Sequence, residues 1–248
     1  MTLSLTARTV VLDIEGTTGA AGYVHGTLYD HARPRLGPWI DAHADDPAVA
    51  EAVAQTRADG GLPADAGTDE VVRVLHGWMD DDVKATPLKT LQGQIWAAGY
   101  AAGELSSHFF DDVVPRLQAW HDRGVRLAVF SSGSVASQVP WFRHAPAGDL
   151  TPLVTDYFDT VTAGPKREAA SYRAIAASLG DEPGQLLFLS DLPAELFAAR
   201  EAGWQAVGVR RAGEPNAGAD FGDVAVVADF TELDVVPVGG APTDGVPA

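Results

Sequence analysis

Three short apolar runs, Val10 to Ile14, Val125 to Phe130 and Leu186 to Leu189, each deliver the chain to small or acidic polar residues. Runs of this kind suit strands buried on both faces of a parallel sheet. Helical patterns lie between and after them, over Val113 to Arg123, Lys166 to Leu179 and Ala194 to Ala202, the last closed by Gly203. Strands alternating with helices predict an α/β fold built on a doubly wound parallel sheet. In such sheets ligands bind beyond the carboxyl ends of the strands, which places Asp13, Ser131 and Asp191 around one cleft.

The stretch from Ala20 to Asp112 has another texture. Helical periodicity runs through Val49 to Ala58, Glu70 to Met79 and Leu88 to Ala98, with little that resembles a strand. The expected organisation is an α/β core of residues 1–19 and 113–236, an inserted helical domain of residues 20–112, and a disordered Pro- and Gly-rich tail of residues 237–248. Trp39, Trp78 and Trp96 are expected to fill the core of the insert; a wall contacting substrate is their alternative use.

A chain of 248 residues, 46% of them hydrophobic, is long enough for such a core and an accessory domain together. Its formal net charge of −17 argues against DNA, RNA or an anionic membrane as partner, because those need a cationic face. An anionic metabolite stays open, since one Lys and a divalent cation can reverse the potential inside a cleft. With no Cys, disulfides, thiolate metal sites and cysteine nucleophiles are excluded. No basic stretch followed by an apolar one opens the chain and no apolar run could span a bilayer, so a cytoplasmic protein is expected; separately, a monomer acting on a small phosphorylated metabolite is expected.

Four elements carry chemistry. Asp13-Ile14-Glu15-Gly16-Thr17-Thr18 takes a strand into two carboxylates two positions apart. One carboxylate can attack phosphorus when a cation neutralises the approach of two anions, and the second can protonate the leaving oxygen and then deprotonate water. Phe130-Ser131-Ser132-Gly133-Ser134 offers hydroxyls and N–H groups to phosphate oxygens where a helix or turn begins; a helix N-cap at Ser131 or Ser132 is the plainer reading. The G-x-S-x-G spacing of a serine nucleophile is absent. Gly164-Pro165-Lys166 puts a cation at the start of a helix, where it could neutralise both Asp13 and a transferring phosphoryl group or simply be a solvated charge. Ser190-Asp191, with Glu195, ends a strand in a hard oxygen ligand suited to magnesium, or in an acidic N-cap.

Taken together, in this order, these motifs resemble the haloacid dehalogenase superfamily over about Val10 to Arg211. Within it the chain looks like the enolase-phosphatases of methionine salvage, for which Glu15 in the second acidic position is typical. Thr86-Pro87-Leu88-Lys89, Leu91-Gln92-Gly93, Ile95-Trp96, Gly103-Glu104-Leu105, Gly164 to Tyr172 and Phe188 to Asp191 with Ala194-Glu195-Leu196 are similar too. The resemblance implies a haloacid dehalogenase-like core with a helical cap and one Mg2+ per subunit. It also implies a bifunctional reaction in which 2,3-diketo-5-methylthiopentyl-1-phosphate is enolised and then loses phosphate.

By position, the resemblance makes Asp13 the nucleophile and a metal ligand, Glu15 the acid/base and a metal-site residue, and Ser131 and Ser132 phosphate or substrate ligands. Lys166 becomes the charge-neutralising and phosphate-binding cation, and Asp191 a magnesium ligand. The chain departs from the family's pattern at Gly19 to Val24 and at Leu28 to His31, the linker into the cap. Two rival readings follow: a phosphatase for another small phosphorylated ketone or sugar, and a non-catalytic phosphometabolite-binding protein on the same fold.

Overall fold

The computed structural model describes residues 2–239. Its centre is a six-stranded, wholly parallel sheet built from β2 (Thr9–Leu12), β3 (Arg126–Phe130), β4 (Val154–Phe158), β5 (Leu186–Ser190), β6 (Gln205–Val209) and β7 (Ala225–Val227). The spatial order is β4-β3-β2-β5-β6-β7. β2 pairs with β3 on one side and β5 on the other, Leu12 facing both Val129 and Leu189. The three strands read from the sequence are thus adjacent inner strands, and their acidic and hydroxyl ends open at one edge of the sheet.

Every residue of β2 and of β5 is buried. Side chains alternate between two cores, as the period of two demands. Val10, Leu12, Leu127, Val129, Leu187 and Leu189 enter one, and Val11, Ala128, Phe130, Leu186 and Phe188 the other. The first core runs on without a break into Leu36, Ile40, Val49, Leu75 and Leu88 of the helical stretch. Sheet and helices are therefore packed on shared apolar contacts in this structure.

Between residues 20 and 112 the chain forms helices over Leu36–Ala42, Pro47–Asp59, Thr68–Asp80 and Thr86–Ala101. Asp46 caps the second, accepting 2.8 Å from the Ala48 N–H ahead of Pro47. A short π-helical segment, Val24–Tyr29, leads into them. Of these three tryptophans, only Trp96 is buried, at 9% exposure; Trp39 and Trp78 pack against the core from partly exposed positions.

Several boundaries differ from the sequence expectation. β2 stops at Leu12, two residues early, because the Ile14 carbonyl accepts from the N–H groups of Thr17, Thr18 and Gly19 and turns the chain away. The helix expected from Lys166 begins at Ala169, since Gly164 at φ 102° and Pro165 hold the preceding residues in a turn. β4, β6 and β7 were not read from the sequence. Nor was a separate two-stranded parallel sheet, β1 (Leu3–Ala7) against β8 (Leu233–Pro237). Pro237 ends that strand rather than opening the tail; residues 240–248 lie outside the described residues.

Candidate active site

Asp13 follows β2 directly. Its N–H donates to the Leu189 carbonyl (3.0 Å), and its own carbonyl accepts from Thr18 Oγ1 (2.9 Å), so the backbone beneath the carboxylate is pinned from both sides. Lys166 Nζ lies 2.6 Å from Asp13 Oδ1 and 2.7 Å from Glu195 Oε2. All three side chains are buried. Burial alone would depress the ammonium, but the Asp13 and Glu195 charges outweigh it and hold Lys166 above its ordinary value. The lysine is held in place from behind: Tyr172 Oη donates to its carbonyl (2.7 Å).

Asp191 follows β5. Its N–H donates to Thr17 Oγ1 (3.0 Å), and Asn216 Nδ2 donates to its Oδ2 (2.9 Å). Burial, and then the Asp13 charge, push its carboxyl up to about 7. Gly16, at φ 73°, passes so close that a Cβ there would sit 2.2 Å from Asp191 Oδ2. Glu195 stands in the first turn of the helix Pro193–Glu201 and accepts from Ser190 Oγ (2.9 Å); burial raises its carboxyl despite the pull of Lys166.

The loop after β3 carries Ser131 to Ser134 ahead of the helix Val135–Arg143. Ser131 Oγ accepts from the Gly133 N–H (3.3 Å). The N-cap position belongs to Ser134, not to Ser131 or Ser132, and the Val135 N–H is taken by Asp159 (2.9 Å). Asp13, Glu15, Ser132, Lys166 and Asp191 line one polar cleft; Ser131 sits behind it, lining an adjoining pocket with Glu15 and Ser132.

That adjoining pocket is walled by Val24, Leu28, Trp96 and Trp141. Trp96 is buried and also lines this pocket, and its Nε1 donates to the Leu28 carbonyl (2.7 Å). Glu15, Ser132 and Lys84 border both compartments. Lys84 Nζ contacts Asp82 Oδ1 (2.8 Å) and donates to Tyr29 Oη (2.9 Å). Burial would lower this ammonium, yet the Glu15 charge, with Asp82 and Tyr29, holds it above its usual value.

Sequence reasoning did not find Lys84, Thr17 or Asn216. Lys84 and Asn216 lie outside regular elements, and Thr17 reads as one more turn residue. Glu195 was grouped with Asp191 from its place in the chain, but its pairing with Lys166 is a long-range fact.

These features define a class. The chain belongs to the haloacid dehalogenase-like hydrolase family, whose sequence model matches residues 7–203. It is 59% identical over 236 residues to the enolase-phosphatase E1 of Saccharopolyspora erythraea, covering 95% of this chain and 98% of the relative. It is 58% identical to the enolase-phosphatase E1 of Streptomyces avermitilis, covering 89% and 92%. Among solved structures, the UTR4 protein of Saccharomyces cerevisiae superposes with a TM-score of 0.73 at 28% identity, covering 91% of this chain and 99% of that one. The chain is thus a phosphatase enzyme, and its fold class is the one its sequence predicts. Among the described residues no helix is long and apolar enough to cross a membrane.

Membership implies a divalent cation. Among the described residues no three acidic or histidine side chains gather at metal-binding spacing. The donor chemistry nevertheless fits a hard cation that takes one or two carboxylates and completes its shell with phosphate and water. Asp13 and Glu195 share the ammonium of Lys166, while Asp191, whose carboxyl is raised by burial and by the Asp13 charge, has no cation within contact distance among the described residues.

Proposed function

We propose that this enzyme converts 2,3-diketo-5-methylthiopentyl-1-phosphate into 1,2-dihydroxy-3-keto-5-methylthiopentene and phosphate in methionine salvage, as a cytoplasmic monomer with one Mg2+ per subunit. The chain divides into a phosphatase core of residues 1–19 and 113–236 and a cap of residues 20–112. The observation that carries the reading is the meeting of two compartments at Glu15 and Lys84. A polar cleft around Asp13 and Lys166 suits the phosphate, and an apolar pocket beside it suits a thioether tail.

In the first half of the reaction the carboxylate of Glu15 takes a proton from C1. The C1–H electron pair forms the C1=C2 bond, and the C2 carbonyl pair moves onto its oxygen, which takes a proton from Lys84. In the second half Asp13 attacks phosphorus while the P–O bond to C1 breaks, and Glu15 returns its proton to the leaving oxygen. Glu15 then deprotonates the water that hydrolyses the aspartyl-phosphate and passes that proton to Lys84, closing the cycle. Lys166 stays charged between Asp13 and Glu195, and Ser131 and Ser132 hold phosphate oxygens. Asp13 and Asp191, with Glu15 at the edge of the cleft, would hold a magnesium ion, which would supply charge neutralisation where two anions meet.

The test is a panel of phosphorylated ketones and sugars, with phosphate release and enol absorbance followed separately. The diketone phosphate should give both signals with the highest kcat/KM. A better ketose or sugar phosphate would replace the substrate assignment.

A further inference from the structure

Three buried polar atoms on residues that line the apolar pocket have no hydrogen-bond partner: Gln92 Nε2, Gln138 Oε1 and Trp141 Nε1. Their residues are 2%, 1% and 3% exposed, and all three line the pocket. Burying such a group unpaired costs about 1–3 kcal/mol, so native cores seldom keep one without a reason. Here three lie around one pocket.

For Gln138 a flipped amide does not account for the unpaired atom. Gln138 Nε2 donates to the Gly133 carbonyl (2.7 Å) and the Phe158 carbonyl (2.9 Å), which fixes Oε1 as the atom left over. The indole of Trp141 can only donate. Gln92 sits on the helix Thr86–Ala101, whose neighbouring Leu88, Leu91 and Ile95 are buried in the apolar core.

We infer that Gln92, Gln138 and Trp141 are specificity-determining residues that read the oxygen functions of the substrate's organic part. The N–H groups of Gln92 and Trp141 donate to ketone oxygens, and Gln138 Oε1 accepts from a hydroxyl, as the enol product of the first half-reaction supplies. The ligand class is a short chain carrying vicinal oxygen functions between a phosphate and an apolar tail. This rests on the function proposed above and adds to it the groups that distinguish a dicarbonyl from a simple phosphate ester.

The experiment compares Gln92→Leu and Trp141→Phe with the wild-type enzyme on the diketone phosphate and on an aryl phosphate, with melting temperatures measured for each. The inference expects both variants to lose at least about tenfold more kcat/KM on the diketone phosphate than on the aryl phosphate. It also expects Gln92→Leu to melt no lower than wild type, because the change removes an unpaired buried amide. Equal losses on the two substrates, or a selective loss that tracks a lowered melting temperature, would overturn it. A wild-type enzyme inactive on the diketone phosphate overturns the substrate assignment instead, and the inference is then decided by the same ratio on a ketose phosphate that the enzyme does hydrolyse.

Discussion

Gly16 and Asp191 are in van der Waals conflict with any side chain larger than hydrogen: a Cβ on Gly16 would stand 2.2 Å from Asp191 Oδ2. The turn that carries Glu15 and the carboxylate that follows β5 thus occupy each other's space. Gly16→Ala should lower magnesium affinity about tenfold or more by displacing Asp191. It should also cost roughly 1–3 kcal/mol of stability for a non-glycine residue at φ 73°. Calorimetric titration and urea unfolding measure the two effects; a variant with native magnesium affinity would mean that Asp191 is not a ligand.

Among the described residues Lys166 is the only cation in contact with both Asp13 and Glu195. Replacing it with Met leaves two buried carboxylates facing one another, so Lys166→Met should cost about 3–5 kcal/mol and about a hundredfold or more in kcat. Glu195→Gln keeps a partner for Lys166 in Asp13 and should be markedly milder in both. Urea unfolding and steady-state kinetics on the two variants check this, and a Glu195→Gln enzyme as damaged as Lys166→Met would make the glutamate an equal partner in catalysis.

The Asp191 carboxyl, pushed up to about 7 in the metal-free protein, makes stability and metal binding depend on pH in opposite directions. A folded-state value above the unfolded one contributes stability that is complete below about pH 4 and is lost as the pH rises through 7. Metal competes with that proton, so its affinity should rise over the same interval. The melting temperature without metal should therefore gain a downward component from pH 5 to pH 8, and the stabilisation by saturating magnesium should grow. Magnesium stabilisation that is flat across this range would remove Asp191 from the metal site.

Much of this was legible before the fold was known. The three adjacent inner strands announce themselves because a strand buried on both faces must be apolar throughout, and β2 and β5 are. Asp13, Ser131 and Asp191 were placed correctly at strand ends for the same reason. β4 escaped notice because Thr155, Asp156 and Tyr157 are not fully buried and break the apolar run. β1 and β8 alternate burial and sit outside the main sheet, so neither carries a continuous signal. Lys84 and Asn216 reach the cleft from irregular segments, where position is decided by packing at long range rather than by periodicity. The unpaired state of Gln92 is likewise a property of the folded neighbourhood alone.

Glu15 borders both compartments, and its charge is felt at Lys84. If its reach matters, Glu15→Asp should retain part of its activity on an aryl ester, whose leaving group needs little protonation, and lose far more on the diketone phosphate. Glu15→Gln should harm both, most where the leaving oxygen is most basic. Rate constants for the two variants on both substrates decide it: equal losses for Glu15→Asp would leave Glu15 an acid/base residue for which length is immaterial.

The central claim is that Asp13 is the nucleophile, and trapping its phosphorylated form tests it most directly. Rapid quench in acid during the first turnover, followed by peptide mass analysis, should find one phosphoryl group on the peptide carrying Asp13. The species should form faster than steady-state turnover and be absent in Asp13→Asn, which should also be inactive. Phosphate release by Asp13→Asn at an appreciable rate, or a phosphoryl group trapped on another residue, would contradict the account.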